Sequence, residues 1–405
     1  MKTFVFYYLH CEDLGHLFRL SNILRAVHRS AGVKRRCVVF QAGRPQALSP
    51  LAPFAETLTL PRPYFGREHV EDLPRLDEDA VVARVRFMTR HVARLRPDVF
   101  VTDFFPFARL FVRFEVVPVL RFLKKRGVRI CASLPLAYFV HPSDGLRQLA
   151  ADVSWYDRIL IHTPAAMGAA FCARQMEDES RISRRDFLKV FAALRRKIVY
   201  TGFVMPASAG KKAAPAGKGR PAKKKPAVRV LVYRGGGTTS SDVIETALEA
   251  SRLLGPSYRF LVVAGPATPE GEMRRFEAAA LRLGPRQAAV ERFLPDFVER
   301  CRQSDVCVGS AGQTALELLY LKKPAVLVPF CGTSPQKRRF DQLVRARFLE
   351  ERAGASVVRS VDLSPRRLAE EIDRQARRKA AAGVKAPAAW FRGAEASARF
   401  LAGIS

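Results

Sequence analysis

The stretch Val308-Gly309-Ser310-Ala311-Gly312-Gln313-Thr314-Ala315-Leu316-Glu317 joins a turn of small residues to the start of a helix, and an apolar segment, 324–330, follows closely. A helix that opens on such a turn leaves backbone N–H groups and its positive dipole end for an anion, usually a phosphate. Glu317 then stands among Leu316, Leu318, Leu319, Tyr320 and Leu321, where a carboxylate is costly unless a hydroxyl or a cation satisfies it. A ribose diol would satisfy it. A surface helix whose glutamate faces water is the other reading.

A second glycine turn, Arg234-Gly235-Gly236-Gly237-Thr238-Thr239-Ser240-Ser241, follows an apolar run and opens a helix. Its backbone can approach a diphosphate while its hydroxyls add donors. It is not a GxGxxG fingerprint, because Ser240 replaces the third glycine and the next strand ends without an acid. Nor is it a P-loop, because no Gly-Lys-Ser/Thr follows. A plain strand-to-helix turn is the alternative here.

Near the N-terminus, His10-Cys11-Glu12-Asp13-Leu14-Gly15-His16 sets His16 at the start of a helix. That position favours the neutral imidazole, which suits a general base. Asp103 ends the run Val99 to Asp103 and would reach the same sheet edge to orient the ring. A capping histidine and an N-cap aspartate before Pro106 are the alternatives. Asp77-Glu78-Asp79 has the DxD spacing of a metal site but precedes the helical run Val81 to Leu95, where acids favour the first turn. No metal and no cofactor are expected.

These residues need a scaffold, and alternating apolar runs and helical patterns supply it twice. Before residue 205 the expected strands are Phe4–Leu9, Cys37–Gln41, Val99–Asp103, Arg129–Ser133, Asp157–His162 and Lys197–Thr201; Leu17, Leu20, Ile23, Leu24 and Val27 mark a first helix over 15–30. After residue 228 come Arg229–Tyr233, Phe260–Ala264, Ala289–Phe293, Asp305–Gly309 and Ala325–Pro329. Strands separated by helices imply parallel sheets, hence an α/β chain of two doubly wound Rossmann-like domains facing a cleft. The expected domains are 1–205 and 228–405, with the last helix a candidate to cross back to the first. Residues 206–227 hold Lys211, Lys212, Lys218, Arg220, Lys223, Lys224 and Lys225 among Ala, Pro and Gly and read as a disordered basic linker.

With 405 residues, 48% of them hydrophobic, the chain can bury two cores. A formal charge of +31 calls for an anionic partner. Nucleic acid is not expected, for the linker lacks stacking aromatics or a recognisable module. An anionic membrane surface is a candidate, since 104–126 interleaves six Phe with Arg and Lys; a core helix with snorkelling basic edges reads equally well. Seven scattered cysteines, none in CxxC spacing, indicate neither a disulfide framework nor a zinc site. The expected location is cytoplasmic, with peripheral attachment to the inner membrane face as an extension of it.

Leu14-Gly15-His16, Tyr200-Thr201-Gly202-Phe203-Val204, Gly235-Gly236-Gly237, Glu291 through Phe297, and Ser310-Ala311-Gly312 through Pro329-Phe330 together resemble glycosyltransferases of the GT-B type. Within that type the chain is similar to family 28, the branch near the UDP-N-acetylglucosamine transferase of peptidoglycan synthesis. Arg96-Pro97-Asp98, Thr102 through Phe107 and Phe114-Glu115 are similar to a bacterial set of predicted glycosyltransferases. The resemblance implies Glu317 on the ribose of a UDP-sugar, Phe293 and Leu294 against its uracil, and Ser310, Gly312, Gln313 and Thr314 with Gly235, Gly236, Gly237 and Thr238 around the diphosphate. It implies Gln336, Asp341 and Gln342 at the sugar, and His16 with Asp103 as an acceptor-activating pair. The expected function is metal-independent, inverting transfer from a UDP-sugar to an acceptor hydroxyl, lipid-linked or on an envelope glycan. A UDP-sugar 2-epimerase and a non-catalytic nucleotide-sugar-binding protein are the alternatives.

Overall fold

Every strand pairing among the described residues is parallel. The computed structural model describes residues 1–10, 14–30, 34–43, 50–62, 78–176, 182–206, 227–235, 240–330, 340–378 and 386–403. The basic linker, most of the 235–239 turn, Asp77 and Gln336 therefore lie outside the described residues. Two compact units result, residues 1–205 with 388–405, and residues 206–387.

The first unit runs β1 (Lys2–His10), α1 (Leu14–Arg29), β2 (Arg35–Gly43), β3 (Glu56–Thr59), α2 (Glu78–Leu95), β4 (Val99–Asp103), α3 (Arg113–Lys124), β5 (Arg129–Leu134), α4 (Leu146–Ser154), β6 (Arg158–Ile161), α5 (Ala169–Arg174), α6 (Arg184–Ala193) and β7 (Ile198–Tyr200). Its sheet order is β3-β2-β1-β4-β5-β6-β7. Order reverses between β1 and β4, and in such sheets ligands sit outside the carboxyl ends of the strands at that point. The short edge strand β3 has no sequence signal, since Glu56–Thr59 is four residues without buried alternation.

The second unit runs β8 (Val228–Tyr233), α7 (Ser241–Leu254), β9 (Tyr258–Val263), α8 (Glu270–Leu283), β10 (Ala288–Glu291), α9 (Phe297–Gln303), β11 (Val306–Gly309), α10 (Gln313–Leu321), β12 (Ala325–Leu327), α11 (Phe340–Ala353), β13 (Ser356–Val357) and α12 (Pro365–Arg377). Its order, β10-β9-β8-β11-β12-β13, reverses between β8 and β11. Val230, Val232, Val306 and Val308 of those two strands are buried with Val243, Ile244, Ala247 and Leu248 of α7 and with Leu368 and Ile372 of α12.

The chain then returns to the first unit through α13 (Gly393–Gly403). The five apolar residues that mark α1 in the sequence are all buried in one cluster with Ala394, Ala398 and Leu401 of α13. Backbone bonds fix the return: Phe203 N–H donates to the Trp390 carbonyl and Gly393 N–H to the Phe203 carbonyl at 3.0 Å. Lys2 Nζ reaches the Ala402 carbonyl at 2.7 Å. Elsewhere in the unit, Arg84 of α2 and Tyr7 of β1 both bond Glu115 of α3, a fully buried charge pair. Of the aromatic stretch, Phe104, Phe105 and Phe107 are core residues while Phe114 is exposed.

Gly393 starts α13 where a Cβ would lie 2.2 Å from the Gly202 carbonyl oxygen and 2.6 Å from the Phe203 carbonyl carbon. Two backbones meet there, so no side chain can swing aside. Gly393→Ala is expected to destabilise the first unit by about 1 to 3 kcal/mol, read as a lower midpoint in thermal or urea unfolding. An unchanged midpoint would show that the return segment adjusts freely.

Candidate functional site

In the second unit the reversal point brings together the ends of β8 and β11. Tyr233 Oη donates to the Ser310 carbonyl at 3.1 Å, and Ser310 Oγ donates to the Arg234 carbonyl at 2.9 Å, tying the two turns to each other. Gly235 follows at φ +100°, a conformation that side chains disfavour. α10 then opens at Gly312 with no side-chain cap, and Gln313 and Thr314 occupy its half-buried first turn. This is the helix end that the sequence reading offers to an anion.

Glu317 lies one turn further along α10, half-buried. No hydrogen bond or ion pair reaches its carboxylate among the described residues. Burial alone pushes its carboxyl up to about 7, so the group is held near neutrality without a partner. Phe293 follows β10 and is 61% exposed, beside half-buried Leu294. The backbone before it is pinned, because Gly265 N–H donates to the Arg292 carbonyl at 3.0 Å and Arg292 bonds the Thr268 carbonyl and Glu270. An exposed aromatic face on a fixed turn suits a planar base.

Not every expected donor contact keeps its expected role. Gln342, foreseen at a sugar, is buried and its Oε1 accepts from Phe330 N–H at 3.0 Å. Asp341 pairs with Arg345 at 2.8 Å, and Arg345 reaches the Ala311 carbonyl at 3.3 Å. Asp341 thus braces the turn before α10 through Arg345, and Gln342 holds the segment after β12, because a buried amide and a carboxylate beside an arginine bond to the nearest groups of opposite kind. Gly236, Gly237, Thr238 and Gln336 lie outside the described residues.

Three side chains have surroundings that the sequence reading does not give, two of them in the turn it singles out. Arg234 is buried and bonds Glu272 and Ser241. Ser240 stands at φ +70° ahead of α7, its buried hydroxyl without a partner among the described residues. Arg345 completes the brace. An arginine next to a glycine turn carries no distinctive spacing, so none of these roles is visible without the fold.

In the first unit, His16 and Asp103 do come to the same edge, at the start of α1 and the end of β4. The direct His16–Asp103 pair expected from the sequence is not formed. Arg19 Nη2 bonds Asp103 Oδ1 at 2.6 Å and lies 3.3 Å from His16 Nδ1, while Arg109 Nη1 takes Asp103 Oδ2 at 3.4 Å and the Leu9 carbonyl at 2.8 Å. Phe104, at φ +67°, lies beneath this cluster with Arg19 and Arg109 over its ring at 5.3 and 4.5 Å and the His16 ring edge-on at 4.5 Å. A strand-end carboxylate recruits the two guanidinium groups because only they can offset its burial. Below it, a small cavity of about 20 Å³ is lined by Arg19, Asp103, Ser133 and His162. His162 bonds Ser133 and Thr201, each at 2.9 Å, and burial holds its ring well below the usual histidine range.

Glu78 and Asp79 lie exposed in the first turn of α2. Among the described residues no group of three His, Cys, Asp or Glu side chains could hold a metal ion, and no helix is long and apolar enough to cross a membrane.

Residues 230–399 match the glycosyltransferase family 28 C-terminal domain. The UDP-N-acetylglucosamine–N-acetylmuramyl-(pentapeptide) pyrophosphoryl-undecaprenol N-acetylglucosamine transferase of Brucella suis is 33% identical over 155 residues, 38% of this chain and 39% of that protein. The chain thus matches well under half the length of that curated relative. Among solved structures, Acinetobacter baumannii MurG superposes with a TM-score of 0.58 at 13% identity, covering 98% of this chain and 95% of that one. The UDP-GlcNAc 2-epimerase of Methanocaldococcus jannaschii gives 0.55 at 10% identity, covering 99% of each. The fold is that of the GT-B glycosyltransferases and related epimerases.

Because the folded Glu317 carboxyl keeps its proton up to about pH 7, against 4.5 for the ordinary group, the stability tied to that proton is full below 4.5 and is lost as pH rises through 7. Glu317→Gln stays neutral throughout. In urea unfolding, the wild-type protein should therefore lose about 2 kcal/mol relative to the variant between mildly acidic and mildly alkaline pH. A gap that does not change with pH would mean that Glu317 titrates normally.

Proposed function

We propose that this chain, whose residues 230–399 match the glycosyltransferase family 28 C-terminal domain, transfers a sugar with inversion from a UDP-sugar to an acceptor hydroxyl. The observation that carries the reading is Glu317, a carboxylate without a partner among the described residues, one turn into a helix whose N-terminus has no side-chain cap and would receive a diphosphate. Ribose hydroxyls donating to it would supply the missing partners, and the exposed Phe293 ring would take the uracil. Ser310, Gly312, Gln313 and Thr314, with Gly235, Gly236, Gly237 and Thr238, would surround the diphosphate as it departs. His16 marks the acceptor side, in the unit that carries no part of the donor site. The Brucella relative's name gives a lipid-linked acceptor; for this chain we propose the hydroxyl of a lipid-linked or envelope glycan, met at an anionic membrane surface.

The epimerase reading differs in its product, an isomerised donor rather than free UDP. Nothing in the described residues favours it over transfer, since the fold is common to both.

Incubation with a panel of UDP-sugars, with and without membrane extract, should release UDP in an acceptor-dependent way and continue in EDTA, because backbone dipoles and cations take the role of a metal at the diphosphate. Complete loss in EDTA, restored by magnesium or manganese, would overturn the metal-independent mechanism. Binding and turnover should also separate by unit. Glu317→Ala should weaken UDP binding by roughly 1.5 to 3 kcal/mol in calorimetry, and wild-type affinity should rise as pH climbs through 7 and the carboxyl ionises. His16→Ala should lower turnover by roughly a hundredfold with UDP affinity unchanged. A folded Glu317→Ala protein with wild-type affinity would remove the residue from the donor site.

A further inference from the structure

We propose that Arg234 is a positioning residue of the donor site: with Glu272 it clamps together the two ends of the glycine turn, so that a diphosphate gains affinity from ends fixed before it binds. The clamp lies wholly within the second unit; its consequence for a ligand rests on the donor site proposed for that unit.

Arg234 follows β8 and Ser241 opens α7, so the two residues flank the turn. Arg234 Nη1 donates to Ser241 Oγ at 3.0 Å and to Glu272 Oε2, and Ser241 Oγ donates to the same Glu272 oxygen at 3.0 Å. Three side chains thus close a ring across the turn, with a carboxylate from the first turn of α8 as the common acceptor. A guanidinium only donates, and the serine hydroxyl spends its one proton here, so the third member has to be an acceptor. Burial raises the Glu272 carboxyl, but the bonds from Arg234 and Ser241 outweigh it and hold the group below the usual range. It is therefore ionised, and accepting, at neutral pH.

The Arg234 backbone extends the clamp. Its carbonyl accepts from Ser310 Oγ at 2.9 Å, which ties in the turn that opens α10, and its N–H reaches the Val263 carbonyl of β9 at 3.4 Å. Gly235, next along, packs backbone against backbone, because a Cβ on Gly265 would lie 2.4 Å from the Gly235 carbonyl oxygen. One residue therefore joins the carboxyl ends of β8, β9 and β11 to the starts of α7 and α8.

A buried ion pair adds little net stability over an apolar pair of the same volume, because both charges lose water. The Arg234 side chain is fully buried and that of Glu272 only 21% exposed, so what the pair supplies is geometry. A turn whose ends are already fixed loses less conformational freedom when its backbone amides close on an anion. Ser240, just before Ser241, is a second pointer to a ligand: it stands at φ +70° with its buried hydroxyl lacking a partner among the described residues, and a hydrogen-bonding ligand at this turn would supply one.

Titration of the full chain with UDP and with uridine separates the clamp from the rest of the site, because uridine has the base and ribose proposed for Phe293 and Glu317 but no diphosphate. Arg234→Met and Glu272→Gln should weaken UDP about tenfold and leave uridine within about twofold. Ser241→Ala, which strands no buried charge, should weaken UDP about threefold with uridine again unaffected. In the Glu272→Gln background the same serine change should cost less than in the wild type, since the ring is already open. An unchanged ratio of UDP to uridine affinity in folded Glu272→Gln and Ser241→Ala proteins overturns the clamp, and these two variants carry the test should Arg234→Met fail to fold. Tighter UDP binding by Glu272→Gln also overturns it, since a released guanidinium rather than a fixed turn would then be meeting the diphosphate. Wild-type protein that binds neither UDP nor uridine would instead defeat the donor site, and with it the ligand role of Arg234.

Discussion

Parallel strands covered by helices on both faces can carry polar chemistry only at their ends, and both units obey that constraint. Where strand order reverses, adjacent crossover helices diverge and leave a crevice beyond the carboxyl ends. In the first unit this gathers the starts of α1 and the turn after β4 around Asp103; in the second it gathers the turns after β8 and β11 around Ser310. The apolar strand interiors, with Val, Phe and Tyr buried almost without exception in β1 and β8, determine where these ends fall. A shift of one residue in the pairing of β1 with β4 would exchange the two buried faces of the strand and carry Asp103 away from Arg19.

The two edges handle charge in opposite ways. Asp103 is over-supplied, with two guanidinium groups and an aromatic face under both. Glu317 is under-supplied, with its carboxyl raised to about 7 by burial and no compensating group among the described residues. A buried charge with complete bonding fixes geometry, whereas one lacking a partner stores free energy that a ligand can recover. The first arrangement therefore suits orientation of a reacting group and the second suits capture.

Much of this was legible in the residues. The strands of both units and the helical spacing of Leu17, Leu20, Ile23, Leu24 and Val27 are periodic signals, and the turn at Ser310 with Glu317 beyond it is a local one. Side-chain partners across elements are different in kind. Nothing in the spacing of Asp103 reveals that Arg19 and Arg109, separated from it by 84 and 6 residues, will reach it before His16 does. Gln342 and Asp341 likewise looked available for a sugar until the fold supplied Phe330 N–H and Arg345. β3 was invisible because four half-exposed residues at a sheet edge need no hydrophobic pattern. In a strongly basic chain the arginines are too numerous for sequence alone to say which carboxylate each one takes.

The return of the chain through α13 has a consequence for biogenesis. α1 emerges from the ribosome early, but the apolar face it shows to Ala394, Ala398 and Leu401 stays uncovered until the whole second unit has been made. The usual order, in which the N-terminal domain of a nascent chain folds first, is thereby inverted: residues 206–387 can close their own core while the first unit still waits for its last helix. The unit that bears His16 and Arg19 is completed only when translation has passed through the unit that bears Glu317, so no nascent chain exposes a finished edge at Asp103 before residues 206–387 have been made.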